Sequence, residues 1–179
     1  MKKGKIILLN GVSSSGKSTL VQKLTEIMPD YLKLSLDDIG RLVWSMRSQR
    51  RNPPTSEIAV QSNYKVFLKP YLFHRVIRMV YDYSYNVIID AVIENDLVLE
   101  DWRAIFKDDE IVYVAVHCPI EELEKREKLR GDRPIGLAKS QLENFHVGIK
   151  YDIEVNTFDN TVDECVQKIV DFLMLTNNV

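Results

Sequence analysis

The stretch Ile6 to Leu20, IILLNGVSSSGKSTL, joins a short apolar run to a loop rich in glycine and serine and then to a helix-like segment. A short, wholly apolar run is typical of a strand that is buried on both faces of a parallel sheet. After the loop, apolar residues recur at a spacing of roughly 3.6, which indicates an amphipathic helix. The stretch therefore predicts a strand, a tight loop and a helix in direct succession.

The loop Gly11 to Ser18 matches the phosphate-binding pattern G-x-x-x-x-G-K-[ST], and its strand and helix flanks are the context that this pattern requires. Glycines let the backbone curl so that its N–H groups face phosphate oxygens, and the helix adds the positive end of its dipole. A chance match in a polar turn is the alternative, and the flanks disfavour it. We therefore predict a nucleotide-phosphate site here.

Three side chains of this loop have predicted roles. We expect Lys17 to bridge the β- and γ-phosphates, and the Ser18 hydroxyl to ligate Mg²⁺. Thr19 is a candidate contact of the α-phosphate. The nucleotide contacts predicted here are Gly11, Ser13, Ser14, Ser15, Gly16, Lys17, Ser18 and Thr19.

Further strand-like runs follow along the chain. The runs Val87 to Ile89 and Ile111 to Val116 are wholly apolar, whereas Tyr31 to Leu36 and Tyr151 to Val155 are weaker. Helix-like segments lie between and after them, as in Val162 to Leu173. This alternation predicts a three-layer α/β fold with a five-stranded parallel sheet flanked by helices, formed by residues 1–179 as a single domain.

The segment between the second and third predicted strands is less regular. Glu57 to Tyr83 has the spacing of a long helix or helix pair, which Pro70 should break or kink. Arg47 to Ser56 is rich in arginine, proline and polar residues and predicts an exposed loop. Its arginines form a local cluster suited to an anionic ligand.

The composition is that of an ordinary globular protein, with 45% hydrophobic and 28% charged residues. A net charge of -2 gives no large basic field, so we expect no nucleic-acid partner. No stretch approaches the ~20 apolar residues of a membrane span, and Cys118 and Cys165 lie in apolar runs that suit buried thiols in a reducing compartment. We expect a cytoplasmic location, and the sequence leaves a homo-oligomer open.

Two carboxylates come directly after predicted strands, Asp37 after the second and Asp90 after the third. The carboxyl ends of parallel strands meet at one sheet edge, beside the phosphate loop. Asp90 is a candidate Mg²⁺ ligand, with a turn cap as the alternative. Asp37 is a candidate base toward an acceptor hydroxyl, or else an N-cap or first-turn charge of a helix from Ile39 to Met46. Spacing alone does not separate these roles.

Three arginines lie close together further along the chain. Arg126 and Arg130 share one face of a charged helix, and Arg133 follows in a short loop that has the form of a lid. Arginines on a lid can neutralise charge on a transferring phosphoryl group. The alternative is a solvated helix face on which the arginines pair with glutamates such as Glu122 and Glu127, and the pattern by itself favours this alternative.

The chain resembles the chloramphenicol phosphotransferase-like family of P-loop kinases. The residues that carry the resemblance are Ile6 to Ser18, Arg126 to Gly136, His146, Gly148, Tyr151-Asp152 and Val155-Asn156-Thr157. Arg-x-x-x-Arg-Gly-Asp-Arg, at residues 126–133, is more specific than the phosphate loop.

The resemblance implies an ATP- and Mg²⁺-dependent kinase that phosphorylates a hydroxyl group of a small molecule and closes an arginine lid. It implies that Asp37 is the acceptor base, and that Arg130 and Arg133 stabilise charge together with Lys17. The resemblance therefore favours the lid role of these arginines over the solvated helix face. The further nucleotide contacts that it implies are Arg126, Asn156 and Thr157.

The sequence also departs from this family. The family's drug kinase has paired acids after the third strand, whereas this chain has Asp90-Ala91 and retains one acid. The segment Trp44 to Tyr64, which should line the acceptor pocket, does not align. The acceptor is therefore open between chloramphenicol and a nucleoside, nucleotide or other metabolite. Outside the kinases, the alternative is an ATP-binding switch or toxin-like regulator that acts on a protein partner.

Overall fold

The computed structural model describes residues 4–41, 69–131, 135–143, 145 and 148–177. In chain order its elements are β1 (Ile6–Asn10), α1 (Lys17–Ile27), β2 (Tyr31–Ser35), α2 (Lys69–Asp82), β3 (Asn86–Ala91), α3 (Asp96–Ile105), β4 (Ile111–His117), α4 (Ile120–Arg130), α5 (Leu137–Leu142), β5 (Ile153–Asn156) and α6 (Val162–Asn177). Residues 36–41 are also helical.

The strands form one five-stranded parallel sheet in the order β2-β3-β1-β4-β5. The predicted α/β fold with a parallel sheet is thus confirmed. All residues of β1 are buried, because this strand has a neighbour on each side and helices above and below it. The carboxyl ends of the strands share one edge, where Asp90 pairs in register with Leu9 and with Ser35.

The last strand begins at Ile153, later than the apolar pattern predicts. Tyr151 instead accepts a hydrogen bond from Asn10 Nδ2 through its hydroxyl, at 2.7 Å. The Asp152 carboxylate accepts a bond from the Tyr113 backbone N–H at 2.8 Å. These two hydrogen bonds hold residues 151 and 152 in place ahead of Ile153, the first paired residue of β5.

Helices cover both faces of the sheet and build two apolar layers. On one face, α2 and α3 pack through Phe73 and Trp102. On the other face, α1 and α6 pack through Leu24 and Ile169, with Cys165 buried among them. Burial raises the pKa of the Cys165 thiol. The predicted burial holds for this cysteine, whereas Cys118 is only half-buried.

Within the described ranges, none of the helices combines the length and the apolar character that a membrane crossing needs. The described part of the long helix predicted over residues 57–83 is α2, which runs unbroken from Lys69 to Asp82 with Pro70 in its first described turn. The predictions for residues 42–68, for Arg133 and for His146 fall outside the described residues.

Candidate active site

The loop between β1 and α1 has a backbone conformation that depends on its glycines. Gly16 has a φ of 92°, and Ser14 also has a positive φ, at 63°. A Cβ atom on Gly11 would lie 2.7 Å from Ser15 Oγ and 2.8 Å from the Val116 carbonyl oxygen. Gly16 is therefore required by the backbone angle and Gly11 by the close packing.

Polar groups in this loop fit an anionic ligand. Lys17 is buried, and its Nζ donates a hydrogen bond to the Val12 carbonyl at 2.9 Å. The Oγ atoms of Ser14 and Ser15 are buried and have no hydrogen-bond partner among the described residues. A buried hydroxyl without a partner costs roughly 1–3 kcal/mol. Phosphate oxygens would accept hydrogen bonds from both hydroxyls, so the loop fits the polyphosphate of a nucleotide.

The two predicted metal ligands lie together. Ser18 Oγ donates a hydrogen bond to Asp90 Oδ2 at 2.5 Å, which joins the start of α1 to the end of β3. Hydroxyl and carboxylate oxygens beside nucleotide phosphates are the ligands that Mg²⁺ prefers. The side-chain bond of Asp90 is with Ser18, and its role as a Mg²⁺ ligand stays a prediction.

Two cavities meet at the loop. The first, which we call the loop cavity, has a volume of about 380 Å³, and its lining includes Gly16, Thr19, Arg126 and Thr157. The second, which we call the strand-end cavity, has a volume of about 180 Å³, and its lining includes Asp37, Asp90 and Glu94. Ser14, Lys17, Ser18 and Arg130 line both cavities. A group bound at the boundary would therefore lie within reach of two cations.

Asp37 lies just after β2, on the wall of the strand-end cavity. Its backbone N–H donates a hydrogen bond to Ser35 Oγ at 3.1 Å. Ser35 directly precedes the helical residues 36–41. Ser35 is therefore the N-cap of this helix, and the N-cap alternative for Asp37 is wrong. Asp38 pairs with Arg41 on the helix itself. Asp37 is the second residue of this helix, so the first-turn alternative stays open beside the predicted base role, and the residue lines the strand-end cavity.

Arg126 connects three parts of the site. Its Nε donates to Glu122 Oε1 at 3.0 Å, and its other nitrogens donate to Thr157 Oγ1 and to the Thr157 carbonyl, each at 3.1 Å. Its Nη1 lies 3.5 Å from the Ser14 carbonyl oxygen. Arg126 therefore pairs with a glutamate of its own helix, as the solvated-face alternative predicted. Its guanidinium also bonds Thr157 in the lining of the loop cavity, which that alternative did not predict.

Arg130 is the last residue of α4 and lines both cavities. Gly131, with a φ of 65°, ends the helix directly after it. This places Arg130 at the point where the chain leaves α4 for the predicted lid. Its role on the transferring phosphoryl group stays a prediction, as does that of Arg133.

Glu127 has a role that the sequence analysis missed. The pattern suggested an exposed partner of the arginines, which is wrong, because Glu127 is fully buried. Its carboxylate accepts hydrogen bonds from the backbone N–H groups of Gly136 and Ala138, at 2.9 and 2.7 Å. Glu127 therefore caps α5 from another helix, and it fixes the two ends of the predicted lid relative to each other.

Replacing Glu127 with Gln should destabilise the protein, because the amide presents two donors to a site built from backbone donors. Hydrogen bonds to a charged group contribute roughly 1.5–3 kcal/mol each, so we expect the free energy of unfolding to fall by about 2 kcal/mol or more. Urea denaturation measures this change. Glu124→Gln, on the same helix, is the matched control and should leave the midpoint nearly unchanged; equal midpoints for both variants would contradict the capping role.

Gln141 of α5 reaches back to the phosphate loop. Its Oε1 accepts the Ser13 backbone N–H at 2.7 Å, and its Nε2 donates to Glu94 Oε1 at 2.8 Å. Gln141 is buried, and these two hydrogen bonds satisfy both ends of its amide. The sequence contained no motif for this contact, which depends on the packing of α5 beside β1 and β3.

Three predicted nucleotide contacts have other surroundings in the structure. Gly11 is absent from the described lining of both cavities. Asn156 Oδ1 accepts the Phe158 backbone N–H at 2.9 Å, and its amide bonds Asp159. This side chain closes a turn, as asparagine often does, and it is absent from the described lining of both cavities. Ser13 lines the strand-end cavity alone, and its N–H is occupied by Gln141. Thr157 lines the loop cavity, and its contact with a nucleotide stays a prediction.

The phosphate loop lies between a strand and a helix, and two cavities share its lysine and an arginine. This arrangement is that of a P-loop nucleotide-binding protein. The chain belongs to the chloramphenicol phosphotransferase-like family, whose model matches residues 4–174. The family resemblance drawn from the sequence is thus confirmed, and the protein is a kinase.

Relatives agree with this assignment. A Mycobacterium tuberculosis H37Rv protein named "Putative O-phosphotransferase" is 29% identical over 194 residues, which cover 94% of this chain and 82% of the relative. The M. tuberculosis APS kinase in complex with AMPPNP and APS has a TM-score of 0.70 at 16% identity, covering 97% of this chain and 99% of that one. Shikimate kinase from Acinetobacter baumannii has a TM-score of 0.64 at 15% identity, covering 98% and 96%. Both solved structures share the fold.

Proposed function

We propose that this kinase transfers the γ-phosphoryl group of ATP to a hydroxyl group of a small molecule. The observation that supports this proposal is the meeting of the two cavities at Lys17 and Arg130. ATP would occupy the loop cavity, and the acceptor would occupy the strand-end cavity beside Asp37. The group to be transferred then lies where both cations line the site.

In the proposed reaction, Asp37 accepts the proton of the acceptor hydroxyl while the hydroxyl oxygen forms a bond to the γ-phosphorus. The bond from that phosphorus to the bridging oxygen breaks, and ADP leaves with the electron pair. Lys17 and Arg130 stabilise the charge on the transferring group, with Arg133 added by the family resemblance. Ser18 and Asp90 would hold Mg²⁺, which when bound neutralises charge on the β- and γ-phosphates.

Chloramphenicol is one candidate acceptor, because the chain belongs to the family described by that activity. A nucleoside, a nucleotide or another metabolite is the alternative, since the segment expected to line the acceptor pocket, Trp44 to Tyr64, falls outside the described residues. The position of Asp37 is compatible with each of these hydroxyl compounds.

A screen of hydroxyl compounds with MgATP tests the proposal. We expect acceptor-dependent ADP formation and a phosphorylated product detected by mass spectrometry for at least one compound. ATP hydrolysis without an acceptor is the background to subtract. If no compound is phosphorylated, and a protein partner is captured only in the presence of ATP, the nucleotide-dependent switch becomes the better account.

A further inference from the structure

The strand-end cavity contains an acid that the sequence analysis did not assign. Glu94 lies four residues beyond Asp90 and lines the same cavity as Asp37 and Asp90. The sequence retains one acid directly after the third strand, Asp90, and the structure adds Glu94 to the lining of the same cavity. The acceptor side of the site therefore has a second carboxylate besides the proposed base.

Glu94 is exposed, yet two buried side chains fix its position. Asn10 is fully buried, and its Oδ1 accepts the backbone N–H of Ile93 at 3.0 Å. Gln141 then donates to Glu94 Oε1 at 2.8 Å. Two buried amides thus hold the carboxylate and the residue before it, and a group fixed in advance loses little entropy when it binds a ligand.

Charges around this cavity divide into two sets. Among the described residues of its lining, the cations are Lys17 and Arg130, and both also line the loop cavity, where phosphates would bind. Asp90 accepts its hydrogen bond from Ser18 on the metal side. Asp37 and Glu94 are the other carboxylates of this lining, on the side proposed for the acceptor. A negatively charged acceptor would lie beside two carboxylates, which is unfavourable.

The boundary of this cavity belongs to the phosphate site. Ser14 lines both cavities, and its buried Oγ atom, which has no hydrogen-bond partner in the described part of the chain, suits a phosphate oxygen. The group to be transferred would therefore lie at this boundary, which leaves the rest of the strand-end cavity to the acceptor.

We propose that Glu94 determines acceptor specificity by accepting a hydrogen bond from a second donor of the acceptor, while Asp37 receives the hydroxyl that is phosphorylated. The acceptor is then a diol or an amino alcohol, neutral or positively charged, and carries no negative charge. This inference rests on the proposed function and adds a substrate class to it. The competing interpretation is an anionic acceptor bound by the arginines in the sequence Arg47 to Arg51.

The test sorts the acceptor screen into matched compounds of different charge, such as glucose, glucosamine and gluconate. We expect phosphorylation among the neutral or cationic compounds. For the best of these, Glu94→Gln should lower kcat/KM roughly tenfold to a hundredfold, mainly through KM, because a charged hydrogen bond is lost. ATP affinity by calorimetry should stay within about twofold, since Glu94 lies outside the loop cavity.

Glu100→Gln, an exposed glutamate on α3, is the matched control and should behave as wild type. Glu94→Lys should shift the preference toward anionic compounds such as gluconate. A purely structural Glu94 would lower the melting temperature and impair all charge classes equally. That result would overturn the proposal, and so would a wild-type preference for anionic acceptors.

Thermal-shift binding of the same compounds to the MgADP form needs no turnover and separates this inference from the proposed function. Glu94-dependent binding without any phosphoryl transfer would contradict the proposed function and support the specificity role. If no compound binds in a Glu94-dependent way, the specificity role is wrong, whether or not transfer occurs.

Discussion

Asp37→Asn should lower phosphoryl transfer by about 100- to 10,000-fold while leaving ATP affinity nearly unchanged, because a positioned general base contributes on that scale. The amide occupies the same space but cannot accept the proton of the acceptor hydroxyl. Asp37 lines the strand-end cavity and is absent from the lining of the loop cavity. The loss should therefore appear in kcat, measured in a coupled ADP assay with the acceptor found in the screen.

Asp38→Asn is the matched control for this experiment. Asp38 is the next residue of the same helix, is exposed and pairs with Arg41. We expect its variant to retain the wild-type rate, because surface ion pairs contribute little. Wild-type turnover in the Asp37 variant would refute the base assignment, whatever the control shows.

Lys17→Ala should weaken ATP binding and suppress transfer together. The ammonium group is buried in the loop and lines both cavities, so its loss removes a charged contact from the bound nucleotide and from the transferring group. We expect the Kd for ATP to rise roughly tenfold to a hundredfold. The rate should fall by about 100- to 1,000-fold, as for other single donors that stabilise a transition state.

Calorimetry with an ATP analogue measures the affinity, and a thermal melt confirms that the variant is folded. Lys23→Ala is the matched control, since Lys23 is on the same helix and its contact is with Asp163, at 3.7 Å. An unchanged ATP affinity in the Lys17 variant would exclude the phosphate role of the loop.

Those parts of the fold that depend on local pattern could be predicted from the sequence. The apolar runs located β1, β3 and β4, since strands buried on both faces contain almost only apolar residues. The loop motif located Lys17 and Ser18, because phosphate binding requires a fixed spacing. The apolar pattern predicted a strand from Tyr151, which is too early. Tyr151 instead accepts a hydrogen bond from Asn10, and local pattern does not reveal a contact between residues so far apart in the chain.

The missed parts of the site depend on tertiary contacts. Glu127 looks like a surface charge in sequence, and only the packing of α5 against α4 explains its burial. Glu94 and Gln141 come together from separate segments, with no motif to mark either one. Asn156 was assigned through the family resemblance, which does not record that its side chain closes a local turn.

The central place of β1 has a consequence for how the protein folds. Ile6 pairs with Val87 on one side and with Ile111 on the other, so both partners of β1 lie about 80 residues or more further along the chain. Such non-local pairing raises the contact order and slows folding, because long loops must close first. The phosphate loop follows β1 directly and should reach its binding geometry late. We therefore expect nucleotide to stabilise the completed fold and to give no assistance to the earlier steps of folding.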